Sequence, residues 1–141
     1  MTGFLLDTNV VSEAVSARPS PRVETWMKSM PESALYLSVL TIGELRKGID
    51  TLPPSRRRDK LESWVGEIKT RFDGRILELD LPAAEQWGSM VAAGFRFGAP
   101  LSIVDGLIAA TALKHQLTLV TRNVRDFERL GVEVFNPWEH P

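Results

Sequence analysis

The chain has no cysteine, two histidines, one tyrosine and no long apolar run. Without cysteine it has no disulfide, no thiol nucleophile and no thiolate metal site. With only His115 and His140, an imidazole metal centre or a Ser–His hydrolase has little to draw on. His115 closes a helical stretch, where the dipole favours a cation, and His140 falls in the terminal tail. No apolar run approaches the ~18 residues that span a bilayer. The N-terminus lacks the charged start and apolar core of a signal peptide. The expectation is a cytoplasmic protein with no membrane association. Its net charge of −1 does not describe a polycation made for nucleic acid. Also missing are a GxxxxGK[ST] loop, a GxGxxG turn after a strand and a GxSxG elbow.

What is present suits one globular domain, residues 1–141, with 43% apolar and 25% charged residues. Short runs rich in Leu, Val and Ile read as buried parallel strands: Gly3–Leu6, Leu35–Ser38, Ile76–Leu79, Thr118–Thr121 and Val132–Phe135. Helical stretches separate them, at Thr8–Ser16, Arg22–Ser29, Thr41–Thr51, Ser55–Phe72, Pro82–Phe97, Ser102–His115 and Val124–Leu130. Leu61, Trp64, Val65 and Ile68 form one stripe, read first as core-facing and second as a partner contact. Trp26, Trp87 and Trp138 are read the same way. The alternation predicts a three-layer α/β/α fold with a mostly parallel five-stranded sheet. Ligands of such sheets bind at the carboxyl ends of the strands.

The chemistry-bearing residues fall near those ends. Asp7 follows the first strand, Glu44 stands six residues after Ser38, Asp105 opens a helix, and Asn123 and Asp126 follow the fourth strand. Each acid also has a local explanation. Thr41-Ile42-Gly43-Glu44 and Ser102-Ile103-Val104-Asp105 both read as capping boxes, Asn123 reads as an N-cap, and Asp7 could cap the first helix. Caps do not explain acids or amides after the first, second and fourth strands, where parallel topology can bring them to one edge. Asp105 lies on a helix with mostly apolar flanks, so it needs a partner: an arginine such as Arg122, or a divalent metal. Oxygen-only ligands favour Mg²⁺ or Mn²⁺, which suits phosphodiester hydrolysis by water. Arg46, Lys47, Arg56, Arg57, Arg58 and Lys60 are either a solvated helix face or a basic rim for a phosphate backbone.

Four segments, in order, carry a resemblance: Leu6-Asp7-Thr8-Asn9-Val10, Ser38 through Glu44-Leu45, Asp105 through Ala112, and Thr121 through Phe127. With the ending Val134-Phe135-Asn136-Pro137-Trp138, the chain resembles the PIN-domain ribonucleases, and among them the FitB-like VapC toxins of VapBC toxin–antitoxin pairs. The resemblance covers essentially the whole chain. It implies a five-stranded sheet with the acids in one pocket and Mg²⁺- or Mn²⁺-dependent cleavage of RNA. By position, Asp7 and Asp105 match the main metal ligands and Glu44 the third acid. Thr8 and Thr121 match supporting hydroxyls, and Asn9 a residue that orders the pocket. The fourth position is shared between Asn123 and Asp126, and the amide can ligate a metal but adds no charge toward a second one. A VapB-type antitoxin is implied, placing a basic side chain in the acid pocket, with a homodimer or a larger toxin–antitoxin hetero-oligomer. Arg46, Lys47, Arg56, Arg57 and Arg58 then stand as candidate RNA contacts. The rival expectation is a non-catalytic PIN-fold subunit acting within an antitoxin–DNA complex.

Overall fold

A computed structural model describes residues 3–94 and 102–139. The expected helix end at Phe97, the Gly98–Pro100 turn and His140 lie outside these residues. Among the described residues the strands are β1 (Phe4–Leu6), β2 (Leu35–Ser38), β3 (Ile76–Leu77), β4 (Thr118–Val120) and β5 (Val134–Phe135). The helices are α1 (Thr8–Glu13), α2 (Pro21–Ser29), α3 (Val39–Asp50), α4 (Arg56–Arg71), α5 (Leu81–Ala92), α6 (Ile103–Lys114) and α7 (Val124–Glu128). The sheet runs in the order β3-β2-β1-β4-β5, and every pairing is parallel. The expected α/β architecture is therefore correct, and the sheet is fully parallel.

The layers follow from the two-residue period of the strands. Leu6, Leu35, Leu37 and Val120 face one way and pack against Val10, Val11, Val23, Trp26, Leu45, Ile49, Val65 and Ile68, which belong to α1–α4. Leu5 and Leu119 face the other way, against Met90, Ile108, Ala109, Ala110, Ala112 and Phe127 of α5–α7. The apolar stripe of α4 faces the core as expected, with Val65 and Ile68 buried and Leu61 and Trp64 packed beside them. Trp26 is buried between Phe4, met edge-on at 5.3 Å between ring centroids, and Phe135 at 5.2 Å. Trp138 packs against the same cluster and carries the Arg122 guanidinium 5.0 Å above its ring. Trp87 joins the opposite cluster.

One boundary matters for the site. The third helix was expected to open at Thr41, but α3 opens at Val39 with Ser38 as its N-cap, the Ser38 hydroxyl accepting from Leu40 N at 3.0 Å. The last residue of β2 is thus already the first cap of α3. Thr41 lies inside the first turn, fully buried, and Glu44 has no capping to do. The strands β3 and β5 are shorter than expected, since Glu78 and Leu79 leave the ladder early and only Val134 and Phe135 of the last run pair with β4.

Candidate active site at the carboxyl edge of the sheet

The chain crosses from β1 to β2 on one side and from β4 to β5 on the other, so β1 and β4 flank the point where the winding reverses. Crevices form at such points, outside the carboxyl ends of the strands. The register pairs Leu6 with Val120, which puts Asp7 and Thr121 side by side one residue beyond the strands. Asp7 N donates to Val120 O at 2.9 Å, and the Thr121 hydroxyl donates to Asp7 Oδ2 at 2.8 Å. Asp7 Oδ1 accepts from Thr8 N at 2.8 Å, so Asp7 also caps α1. The Asn9 amide reaches both Asp7 Oδ2 and Thr121 Oγ1 at 3.4 Å. Asn123 N donates to Thr121 Oγ1 at 3.0 Å. Thr121 and Asn9 thus both contact Asp7.

Asp7 is 5% exposed, and its pKa is pushed up to about 6. Burial is the main cause, opposed by the hydrogen bonds from Thr121 and Thr8, with the charges of Asp105 and Glu44 pushing further upward. The two other acids therefore lie within electrostatic reach of Asp7. Among the described residues no lysine or arginine forms an ion pair with Asp7, Glu44 or Asp105. The expected Arg122 partner for Asp105 is not there, since that guanidinium lies over Trp138.

Glu44 is held from α1. The Thr8 hydroxyl lies 2.6 Å from Glu44 Oε1 and 3.2 Å from Thr41 Oγ1. Asp105 is held within its own turn. Its Oδ2 accepts from Ser102 N and the Ser102 hydroxyl, both at 3.0 Å, while Asp105 N donates back to Ser102 Oγ at 3.1 Å. Of the two capping boxes read from the sequence, this is the one that forms. Asn123 stands at the N-cap of α7, but its side chain makes no capping bond, so the expected cap is absent. Asp126 lies one turn on, half-buried in the first turn of α7.

The donor set around Asp7 consists of carboxylate, hydroxyl and amide oxygens, as a hard divalent cation requires. Its uncompensated acids fit such an ion electrostatically. Among the described residues no three acids are already gathered as a metal cage. A cation would have to draw Glu44 or Asp105 toward Asp7.

The basic cluster divides. Arg46 makes two bonds to Glu62, at 2.6 and 2.7 Å, and one to Asp50 at 3.1 Å. Arg58 donates to Leu52 O at 3.0 Å and approaches Asp50 at 3.7 Å. Lys47, Arg56 and Arg57 are exposed, with no ion pair to the described residues. Arg56, Arg57 and Lys60 share a shallow groove with Val15, Ala17 and Leu61. A separate apolar trough of about 400 Å³ lies between α1, α2 and α4, lined by Val10, Met27, Trp64 and Phe72 among others.

A parallel α/β domain with a buried acid at its winding reversal is a class with several members, and one of them matches this chain along its length. The chain belongs to the PIN-domain family, whose pattern matches residues 4–133. It is 37% identical over 137 residues to VapC ribonuclease Y4jK of Sinorhizobium fredii, covering 96% of this chain and 98% of that one. To Toxin FitB of Neisseria gonorrhoeae it is 38% identical over 136 residues, covering 96% and 98%. In three dimensions it is similar to the structure of FitAB bound to the IR36 DNA fragment, with a TM-score of 0.88, 35% identity and coverage of 98% and 97%. The FitB-like, VapC-type placement expected from the motifs is correct.

Proposed function

We propose that this chain is the toxin of a toxin–antitoxin pair and that it cleaves RNA internally with the help of Mg²⁺ or Mn²⁺. The observation that carries the reading is Asp7: a buried acid, raised to about 6, flanked electrostatically by Asp105 and Glu44 and paired with no lysine or arginine among the described residues. The curated relatives are named as ribonucleases and toxins, which supports the same activity here. In this reading Asp7 and Asp105 hold the cation and Glu44 binds it or orients the attacking water. Thr8, Asn9 and Thr121 fix the acids. Either the Asn123 amide or the Asp126 carboxylate fills the fourth position. The ion, when bound, lowers the pKa of a water and offsets phosphate charge. Of the five candidate contacts, Lys47, Arg56 and Arg57 form no ion pair among the described residues, whereas Arg46 and Arg58 are engaged within the protein.

An antitoxin is the expected partner, because the similar FitAB structure is a complex of this kind bound to DNA. A guanidinium from such a partner would pair with the acids around Asp7 and take the place of the cation. Assembly as a homodimer, and with antitoxin as a larger hetero-oligomer in the cytoplasm, belongs to the same reading.

The test is RNA cleavage by purified, antitoxin-free protein with Mg²⁺ or Mn²⁺ against EDTA. Asp7→Asn and Asp105→Asn are each expected to abolish cleavage in a folded protein. If both variants cut as well as the parent, the metal-site reading is wrong. A binding role without catalysis is favoured by one feature, the neutral Asn123 where an acid would strengthen the site; it predicts antitoxin and DNA binding with no metal-dependent cleavage.

A further inference from the structure

Thr41 is fully buried, and neither the capping expectation nor the proposed roles account for its hydroxyl. It was expected to cap a helix, and Ser38 does so instead. Its Oγ1 lies 3.2 Å from Thr8 Oγ1, which lies 2.6 Å from Glu44 Oε1. Thr8 has a single hydroxyl proton. An ionised carboxylate can only accept, so that proton goes to Glu44. The Thr8 oxygen is then left to accept, and the Thr41 hydroxyl, 3.2 Å away, is placed to donate to it. The three groups make a directed chain, Thr41 to Thr8 to Glu44.

The chain has a counterpart on the other acid. Asn123 N donates to Thr121 Oγ1, and the Thr121 hydroxyl donates to Asp7 Oδ2. In each case a donor fixes the rotation of a threonine hydroxyl, and that hydroxyl fixes one carboxylate oxygen. Among the described residues Glu44 Oε2 has no bond of its own, so it is left for a cation or a water.

We propose that Thr41 is a positioning residue for Glu44, acting through Thr8 across the α1–α3 contact. The proposal rests on the metal-dependent reading above. Thr41 and Glu44 are three residues apart on one helix face, so the helix presents both to Thr8 together. Thr8 alone could swing its hydroxyl toward solvent. With Thr41 donating to it, the hydroxyl has one favoured rotor, aimed at Glu44. Outer-shell donors of this kind tune metal affinity without touching the metal.

The experiment uses the full chain, with Mn²⁺ alone as the probe. Mn²⁺ affinity is measured by electron paramagnetic resonance, cleavage by single-turnover kinetics, and the Glu44 side-chain carboxyl by ¹³C NMR in the metal-free protein. Thr41→Val keeps the volume and removes the donor. It is expected to weaken Mn²⁺ binding about tenfold, to slow cleavage without weakening RNA binding, and to shift the Glu44 carboxyl resonance. Thr41→Ser is expected to restore all three. The double variant Thr8→Val with Thr41→Val should be no worse than Thr8→Val alone, since both break one chain. If Thr41→Val does not fold, Thr41→Ala is compared with Thr41→Ser on the same measurements. An unshifted Glu44 resonance with parent-like Mn²⁺ binding in the hydroxyl-free variant, or failure of Ser to rescue, overturns the proposal. A parent protein that neither binds Mn²⁺ nor cuts RNA overturns the functional reading instead, and the NMR comparison still decides the Thr41 chain.

Discussion

In the Ser102–Asp105 turn the acid caps its own helix, while in the similarly written Thr41–Glu44 turn the acid is released for a partner 36 residues away. Both carboxylates feel Asp7, and both are fixed by a hydroxyl, but the sources differ. Ser102 is local to Asp105 and holds Oδ2 through two donors. Thr8 is brought to Glu44 by tertiary packing of α1 on α3. The same task, holding one oxygen of an acid at the sheet edge, is thus done once by secondary structure and once by the fold. Capping and ligation need not compete at Asp105, because the cap uses Oδ2 and Oδ1 makes no hydrogen bond among the described residues.

The largest expected effects come from the acid both turns serve. Asp7→Asn should reduce Mg²⁺-dependent cleavage on the order of a thousandfold, in line with losing several kcal/mol of transition-state stabilisation. The same change should stabilise the metal-free protein at neutral pH. A carboxylate raised from 3.8 to about 6 is less comfortable ionised in the folded state than in the unfolded state. Its penalty is present above pH 6 and is relieved as pH falls toward 4; it is worth roughly 3 kcal/mol at full size. The metal-free parent should therefore gain stability between pH 7 and pH 4 from this group, and the Asn variant should not. Thermal unfolding across that range, with and without Mn²⁺, separates them. Parallel curves for parent and variant would mean that Asp7 titrates normally.

Next come the two turns themselves. Asp105→Asn should lose cleavage and also weaken its helix by about 0.5–1 kcal/mol, because a first-turn charge and part of a capping box go with it. Glu44→Gln should lose cleavage with no such penalty, since Ser38 caps that helix. Ser38→Ala should then cost about 1 kcal/mol on its own. Denaturant midpoints of the three variants check the contrast. An equal loss of stability in Asp105→Asn and Glu44→Gln would show that the turns are alike after all.

How far the sequence reaches follows the same division between local and tertiary. The core runs of β1, β2 and β4 are legible because buried parallel strands need little beyond apolar side chains. The Ser102–Asp105 box is legible because its partners are three residues apart. The Asp7–Thr121 pair is legible only through topology, since 114 residues separate them and the register alone unites them. The Thr8–Glu44 contact is not legible, because a capping box with the same spelling explains Glu44 at no structural cost. Nor is the start of α3. Ser38 is both the last β2 residue and a good N-cap, and propensity does not say which of Ser38 and Thr41 wins. The Arg46–Asp50 spacing of four residues is readable, but Glu62 comes from the neighbouring helix and takes the better bonds.

That last pair supplies the smallest expected effect and the sharpest contrast with Asp7. Asp50 and Glu62 are acids that have found a cation in the open, with Arg46 between them. Water would satisfy all three nearly as well, so Arg46→Ala should leave the unfolding midpoint almost unchanged. It should leave cleavage unchanged, because its guanidinium is turned toward Glu62. Arg56→Ala and Arg57→Ala remove cations with no such commitment among the described residues. Each should weaken RNA binding and flatten its salt dependence by about one counterion, without changing the unfolding midpoint. RNA affinity measured at several salt concentrations tests this, and an Arg46→Ala effect larger than either of the others would reverse the division of the basic cluster. A cation beside exposed acids is then a convenience of the surface, whereas the acids around Asp7 pair with no lysine or arginine among the described residues.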